Sequence, residues 1–236
     1  MVKICTFDLE NDKMAAVVAA ISENPLETAR SAKMLGADIL EIRFDLLNIT
    51  TPDDAKKLVN EIKSATNLPC IATNRLQSEG GKWSGTEEGR IGLLIDILEL
   101  VDAVDIELSA GEDVRERVVQ SAKSAGKTVI VSSHDFNRTP AVDQMRKTLD
   151  DCFDAGADIA KLAVMPKSMQ DVLNLLQVTN DSKAPVCTIS MGDLGKHSRI
   201  VASCYGSVLT YGSVRDAVAP GQLRVDELKT VLEMLL

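Results

Sequence analysis

Short apolar runs alternate with longer amphipathic segments along almost the whole chain. Eight of these runs are rich in β-branched residues and recur at intervals of about 30 residues, the length of one strand and helix unit. They predict strands at 15–21, 39–42, 69–73, 103–108, 128–132, 159–163, 186–190 and 207–210. Their consecutive apolar positions are typical of parallel strands that are covered on both faces. A further run, at 4–7, predicts an extra strand outside the series.

The segments between the runs carry helix start and stop signals. Asn24 and Pro25 begin one helix, which Gly36 ends, and Thr51 and Pro52 begin the next, which continues to about residue 64. Further helices are predicted at 86–101, 113–124, 139–155, 168–179, about 196–204 and 225–236.

Strict alternation of strands and helices predicts a parallel sheet covered by helices. A doubly wound open sheet often has a glycine-rich turn after its first strand, whereas the first predicted strand here leads into Ser22, Glu23, Asn24 and Pro25. Eight units in 236 residues instead favour an α/β fold of the (β/α)8 TIM-barrel type, with its active site at the carboxyl ends of the strands. We expect one barrel domain over residues 1–236.

Composition and charge limit the partners and the cellular location that the protein could have. A net charge of −9 argues against a nucleic-acid or anionic-membrane surface. The five cysteines are scattered without a CxxC pair, which favours buried thiols in a reducing compartment. The sequence has no apolar stretch of membrane-spanning length and no signal-peptide pattern at its start. These features predict a cytoplasmic protein with no nucleic-acid or membrane partner.

Two strand-end residues suggest the chemistry. Lys161 interrupts the apolar run at 159–165, where an ammonium must reach water or lose its proton, and a neutral amine attacks carbonyls to form Schiff bases. His134 follows the β-branched run at 128–132 and could transfer protons. Lys161 could instead extend its ammonium to solvent, and His134 could be a strand-end histidine bonded to the backbone.

Other polar side chains follow neighbouring predicted strands and would meet at the same mouth. Glu41 and Arg43 alternate along the second strand and therefore project to the same side. The guanidinium of Arg199 could hold a carboxylate through two hydrogen bonds. Alternatively, Glu41 with Arg43 and Arg75 with Glu79 could be structural ion pairs. With one strand-end histidine and no ligand spacing, we expect no metal site.

Six short segments at barrel spacing form one ordered set. They are EIRFD at 41–45, RLQSEGG at 75–81, SHDF at 133–136, KLAVMP at 161–166, ISMG at 189–192 with Ser198 and Arg199, and APGQ at 219–222. Each is weak evidence alone. Together they resemble the type I 3-dehydroquinate dehydratases, the lyases of the shikimate pathway that work through a Schiff base.

The resemblance implies a mechanism and a set of site residues. Lys161 would form an imine with the C3 ketone of 3-dehydroquinate, and His134 would remove the C2 proton and help the C1 hydroxyl to leave. Glu79 would orient His134. The implied substrate-binding residues are Glu41, Arg43, Arg75, Met191, Arg199, Tyr211 and Gln222. The resemblance implies no cofactor and a homodimer.

The match has two departures. Val218 stands where relatives often carry a serine that touches the substrate, and Tyr211 stands where phenylalanine is common. Neither change reaches the imine chemistry. The segment at 218–222 contains Pro220 and Gly221 and follows the eighth strand, so we expect it to close over the substrate.

Two alternative functions stay compatible with the residues alone. A class I aldolase would also use Lys161 but normally cleaves a phosphorylated sugar, and no phosphate-binding loop is evident. A non-catalytic barrel that binds a small polyhydroxy acid would contain an unreactive Lys161.

Overall fold

Eight parallel strands form a nearly closed barrel. The computed structural model describes residues 2–4, 7–8 and 14–235. The strands are β1 (Ala16–Ile21), β2 (Ile39–Arg43), β3 (Cys70–Thr73), β4 (Ala103–Glu107), β5 (Thr128–Asp135), β6 (Ile159–Val164), β7 (Val186–Ser190) and β8 (Leu209–Gly212). They are ordered β8, β1, β2 and so on to β7. The bridge from Val186 to Ser207, just before β8, joins the two ends, which confirms the predicted (β/α)8 fold.

Helices follow the strands and cover the outside of the barrel. They are α1 (Pro25–Met34), α2 (Pro52–Thr66), α3 (Glu87–Asp96), α4 (Glu112–Ser124), α5 (Val142–Asp154), α6 (Met169–Asp181), α7 (Ser198–Val201) and α8 (Val225–Leu235). The side chains of Thr51 and Thr86 accept the first-turn N–H groups of α2 and α3. Ser168 and Asp171 form a reciprocal cap at α6, so these three starts match the sequence signals.

A short antiparallel hairpin precedes the barrel. Lys3–Ile4 pairs with Phe7–Asp8, so the extra strand predicted at 4–7 is replaced by the two strands of a hairpin, while residues 5–6 lie outside the described part. Ile4 is fully buried against the apolar layer inside the barrel, and the carbonyl of Lys3 accepts a hydrogen bond from Thr128 at the start of β5. The hairpin therefore covers the amino-terminal end of the barrel.

Several predicted boundaries differ from the structure, and the helix predicted at 139–155 begins three residues later, at Val142. The helix predicted at 86–101 ends at Asp96 and is followed by a 3-10 turn, Leu98–Leu100. The helix predicted at 196–204 is divided into the short helix α7 and a 3-10 turn, Ala202–Tyr205. Its start is held close to β7, because Gly195 packs directly on the Ser190 carbonyl and the Ser198 hydroxyl hydrogen-bonds the backbone of Ser190. β5 continues to Asp135, and β8 begins two residues later than predicted.

The interior of the barrel changes from apolar to polar along the strands. Every second residue faces inward, so on β6 Ile159 lies in the apolar interior layer, and Lys161 follows it on the same side. On β4 the same alternation carries Ala103 to Asp105 and Glu107. A second apolar layer lies between the strands and the helices. Polar groups therefore gather toward the carboxyl ends of the strands.

No helix within the described ranges is long and apolar enough to cross a membrane.

Candidate active site

One cavity at the carboxyl end of the barrel gathers all ten site residues that the sequence suggested. They are Glu41, Arg43, Arg75, Glu79, His134, Lys161, Met191, Arg199, Tyr211 and Gln222. They come from or follow β2, β3, β5, β6, β7 and β8. Lys161 and His134 thus face the same cavity, as imine chemistry assisted by an imidazole requires.

Lys161 lies among charges rather than in the purely apolar surroundings that its sequence run suggested. Its Nζ is 3.0 Å from Asp105 Oδ2 and 3.5 Å from Glu41 Oε1. The same nitrogen lies 4.1 Å from the centre of the Tyr211 ring, a cation–π distance. The residue is 4% exposed, so these contacts hold its amine in place next to the cavity.

His134 is oriented by Glu79. Its Nδ1 is 2.8 Å from Glu79 Oε2, and its backbone N–H donates to the same oxygen at 2.9 Å. The hydroxyl of Ser109 donates to the other oxygen of Glu79. Because Nδ1 is bound to Glu79, Nε2 is the ring nitrogen that can act in the cavity.

The electrostatic environment keeps His134 neutral. Burial holds the pKa of His134 well below its usual range, and the nearby charges of Arg75 and Lys161 lower it further. Burial also raises the pKa of Glu79, against the opposing hydrogen bond from Ser109. A neutral imidazole that donates Nδ1–H to Glu79 has a free lone pair on Nε2, so it can act as a base at neutral pH.

A buried charge network behind the cavity was missed by the sequence reading. Arg75 Nη1 lies 2.8 Å from Asp105 Oδ1 and 2.9 Å from Glu107 Oε1, and Arg90 Nη1 lies 2.9 Å from the other oxygen of Glu107. The hydroxyl of Ser132 donates to Asp105 at 2.6 Å. The sequence signal for this network was the pair of carboxylates, Asp105 and Glu107, at alternate positions of the otherwise apolar strand β4. Carboxylates buried inside a barrel need buried cations as partners.

The ion pairs that the sequence suggested are replaced by others. Arg43 pairs with Asp45 through two hydrogen bonds of 3.0 and 2.8 Å, rather than with Glu41. Glu41 accepts a hydrogen bond from Thr73 at 3.0 Å. Arg75 pairs with Asp105 and Glu107, whereas Glu79 binds His134 and Ser109. Within residues 2–4, 7–8 and 14–235, no three His, Cys, Asp or Glu side chains are grouped as metal ligands would be.

Arg199 is a buried cation whose hydrogen bonds go to backbone carbonyls. Its Nε and Nη2 each donate at 2.9 Å, to Gly221 and Pro220, and Nη1 donates at 3.3 Å to Tyr211. The residue is 2% exposed, and burial lowers its pKa to about 10. No carboxylate pairs with Arg199 among the described residues, so an incoming anion would find a preorganised guanidinium here.

The loop after β8 is shaped by Gln222 and Gly221. Gln222 Oε1 accepts the backbone N–H groups of Val218 and Ala219 at 2.6 and 3.2 Å. Gly221 has φ +70°, and a Cβ there would lie 2.3 Å from the carbonyl oxygen of Gly192. With its oxygen engaged, Gln222 has its amide N–H groups left to donate to a bound molecule.

The apolar wall of the cavity contains one unsatisfied polar group. Met191, Ile189 and Tyr211 are buried in the interior layer. The Tyr211 hydroxyl is buried and has no hydrogen-bond partner among the described residues. Burial raises the pKa of Tyr211 well above its usual range, so the phenol keeps its proton.

Removal of the Arg90 side chain should reduce stability without reaching the cavity. In Arg90→Met, Glu107 loses one of its two cations and the carbonyl of Asn74 loses a 2.6 Å hydrogen bond. Breaking a buried ion pair costs roughly 3–5 kcal/mol, so the urea midpoint of unfolding should fall clearly. Arg117→Met breaks an exposed ion pair between Arg117 on α4 and Glu88 on α3, the helix that also carries Arg90. This variant should change the midpoint little. Equal midpoints for the two variants would contradict this account.

Comparison with known proteins identifies the family. A family model described as type I 3-dehydroquinase matches residues 14–236. The 3-dehydroquinate dehydratase of Methanococcoides burtonii is 62% identical over 235 residues, which cover 100% of both chains. That of Methanosarcina acetivorans is 56% identical over 243 residues, also 100% of both chains.

Solved structures agree with the sequence relatives. The crystal structure of type I 3-dehydroquinate dehydratase from Clostridium difficile, with covalent modified comenic acid, superposes with a TM-score of 0.90. It is 32% identical, and the match covers 95% of this chain and 93% of that chain. The 3-dehydroquinate dehydratase from Geobacillus kaustophilus gives a TM-score of 0.89 at 31% identity, covering 94% and 91%. These matches show that the chain belongs to the type I 3-dehydroquinase family of enzymes.

Proposed function

We propose that the chain dehydrates 3-dehydroquinate to 3-dehydroshikimate through a Schiff base on Lys161, with His134 as general acid and base. The observation that carries the proposal is the single cavity that holds both residues, with His134 bound to Glu79 at 2.8 Å. Family membership argues against the two alternatives, a class I aldolase and a non-catalytic barrel.

Imine formation is the first step of the proposed reaction. The Lys161 amine adds to the C3 ketone, and the resulting carbinolamine takes up a proton and loses water to give an iminium. The iminium withdraws electrons from C2 and so makes the C2 hydrogen acidic.

Proton transfer by His134 completes the elimination. Its neutral Nε2 takes the C2 proton, which leaves an enamine, and the Nδ1 contact with Glu79 stabilises the imidazolium that forms. The imidazolium then gives its proton to the C1 hydroxyl, which departs as water. Hydrolysis of the conjugated iminium would release 3-dehydroshikimate and restore Lys161.

The remaining cavity residues would bind the substrate. Arg199, which has no carboxylate partner among the described residues, is the proposed site for the substrate carboxylate. The ring hydroxyls would contact Glu41, Arg43, Arg75 and Gln222, while Met191 and the ring of Tyr211 would pack on the apolar face. Val218 offers no side-chain hydroxyl, so the 218–222 loop would contact substrate through Gln222 and backbone groups.

The test is direct observation of the reaction. The protein should convert 3-dehydroquinate to a conjugated enone, seen as a rise in ultraviolet absorbance. Borohydride added during turnover should reduce the iminium and leave a mass adduct on the peptide that contains Lys161. If neither the absorbance rise nor the adduct occurs, the proposal is wrong.

Three broader statements stay predictions. The family resemblance supports a homodimer, and the alternating pattern supports a single barrel domain over 1–236. A cytoplasmic location is supported by the free thiols Cys70, Cys152 and Cys187, which are buried as the sequence suggested, whereas Cys204 is an exposed free thiol and contradicts the expected burial. Burial raises the pKa of each of the three buried thiols to about 12, which suppresses the reactive thiolate.

A further inference from the structure

Asp105 occupies a position behind Lys161 that the proposed reaction leaves unused. Its carboxylate lies between two cations, with Oδ1 2.8 Å from Arg75 and Oδ2 3.0 Å from Lys161. Ser132 donates a third hydrogen bond, at 2.6 Å. The residue is 0% exposed and does not line the cavity, so it reaches a bound substrate through the cavity residues that it pairs with, Lys161 and Arg75.

The surroundings keep Asp105 ionised. Burial opposes ionisation, yet the charges of Arg75 and Lys161 hold the pKa of Asp105 well below its usual range. A carboxylate of this kind is a poor acceptor for the Lys161 proton. It is instead a fixed negative charge next to the nitrogen that reacts.

We infer that Asp105 is the fixed counter-ion of the Lys161 nitrogen and stabilises the iminium against the neutral carbinolamine from which it forms. This inference rests on the proposed function. Glu41 is a weaker candidate for the role, because its oxygen is farther from Nζ, at 3.5 Å, and already accepts a hydrogen bond from Thr73. Glu41 also faces the cavity, where substrate hydroxyls would compete for its carboxylate.

The charge balance of the reaction explains why a fixed anion helps. The ammonium and the ketone together give an iminium and one water, because the proton that the amine loses before it attacks is balanced by the proton that the carbinolamine takes up to expel its hydroxyl as water. Counted from ammonium to iminium, the nitrogen therefore begins and ends with one positive charge. It is neutral in the attacking amine, in the carbinolamine and, later, in the enamine. A preorganised carboxylate at 3.0 Å favours both charged forms and needs no reorganisation between them.

The titratable and charged groups that face Lys161 are Glu41 on β2, Arg75 after β3, Asp105 on β4, His134 on β5, Cys187 on β7 and Tyr211 on β8. Of the carboxylates among them, Asp105 is the one nearer to Nζ.

The test compares Asp105→Asn with Glu107→Gln. Each variant removes one buried carboxylate from β4 and one ion pair from Arg75. They differ in the second ion pair that is lost, which is with Lys161 in Asp105→Asn and with Arg90 in Glu107→Gln. Both proteins are mixed with 3-dehydroquinate from pH 5 to pH 10, and the borohydride-trapped fraction and kcat are measured at each pH. Thermal melting checks that each variant folds.

Asp105→Asn should lower the trapped fraction at its plateau by about 100-fold, which is equal to about 2.7 kcal/mol. Equal trapped fractions in the two variants would overturn the inference. If the unmodified protein shows neither turnover nor an adduct, the proposed function itself fails, and the two failures are thereby distinguished.

Ser132→Ala provides a second variant if Asp105→Asn does not melt cooperatively. It keeps the Asp105 charge and removes one hydrogen bond that fixes the carboxylate. A fall of a few-fold in the trapped fraction would support the inference, since an anion that is less well held stabilises the iminium less. An unchanged trapped fraction would overturn it.

Discussion

Lys161→Ala is expected to abolish both turnover of 3-dehydroquinate and the borohydride adduct. The substitution removes the nitrogen that would become the electron sink, and without it the C2 hydrogen loses its activation. We expect kcat to fall by at least about 10⁴-fold, the scale seen when a covalent nucleophile is deleted. Ultraviolet absorbance would measure turnover, and mass spectrometry of the reduced protein would measure the adduct.

A matched lysine tests whether the loss is specific. Lys229 on α8 also pairs with a carboxylate, at 2.7 Å from Asp38, but it lies outside the cavity. Lys229→Ala should therefore retain both turnover and the adduct. An adduct that persists in Lys161→Ala would mean that another amine forms the imine. Since Lys161→Ala removes the ion pair of Glu41 and one of the two ion pairs of Asp105, its melting temperature should be recorded beside its activity.

The barrel and most members of the cavity could be predicted from strand periodicity, whereas Tyr211 and Gln222 were expected there only because the family resemblance implies them. Eight apolar runs at regular spacing predict eight parallel strands, and the carboxyl ends of such strands converge. Residues as far apart in the chain as Glu41 and Arg199 therefore meet without any information on distances. Alternation along one strand also places Lys161 on the interior side, two residues after Ile159.

The partners of the charged residues could not be predicted in the same way. Whether Arg75 pairs with Glu79 or with Asp105 depends on side-chain reach and on the register between β3 and β4, which periodicity does not specify. In the sequence, nothing distinguishes Arg90 from a solvent-facing residue of a helix. In the structure its side chain is fully buried, because its guanidinium pairs with the buried carboxylate of Glu107 on β4. The division of the helix predicted at 196–204 likewise depends on the close approach of Gly195 to Ser190.

The environment of Lys161 illustrates this limit most clearly. An apolar run around a lysine suggests desolvation, and the run is indeed buried. The carboxylates that face the amine come from two other strands, at Glu41 and Asp105, and only the closed barrel brings them within 3.5 Å. Sequence therefore predicts which residue reacts, whereas the charge that surrounds it depends on tertiary structure.

His134→Ala is expected to separate imine formation from elimination. Without the imidazole the C2 proton has no positioned base and the C1 hydroxyl has no acid, so kcat should fall by roughly 10³-fold. The Lys161 amine keeps its contacts with Asp105 and Tyr211, so the borohydride adduct should still form. Single-turnover absorbance would measure the elimination, and trapping at matched times would measure the imine.

The second histidine of the chain is the matched control. His197 is exposed just before α7 and lies outside the cavity, so His197→Ala should retain both reactions. Glu79→Gln should lie between the two histidine variants, because it keeps a hydrogen-bond acceptor near Nδ1 but loses the charge that stabilises the imidazolium. If His134→Ala kept the normal rate of elimination, His134 would be an orienting residue only. Loss of the adduct together with turnover would instead place His134 in imine formation, and the division of roles between the amine and the imidazole would have to be redrawn.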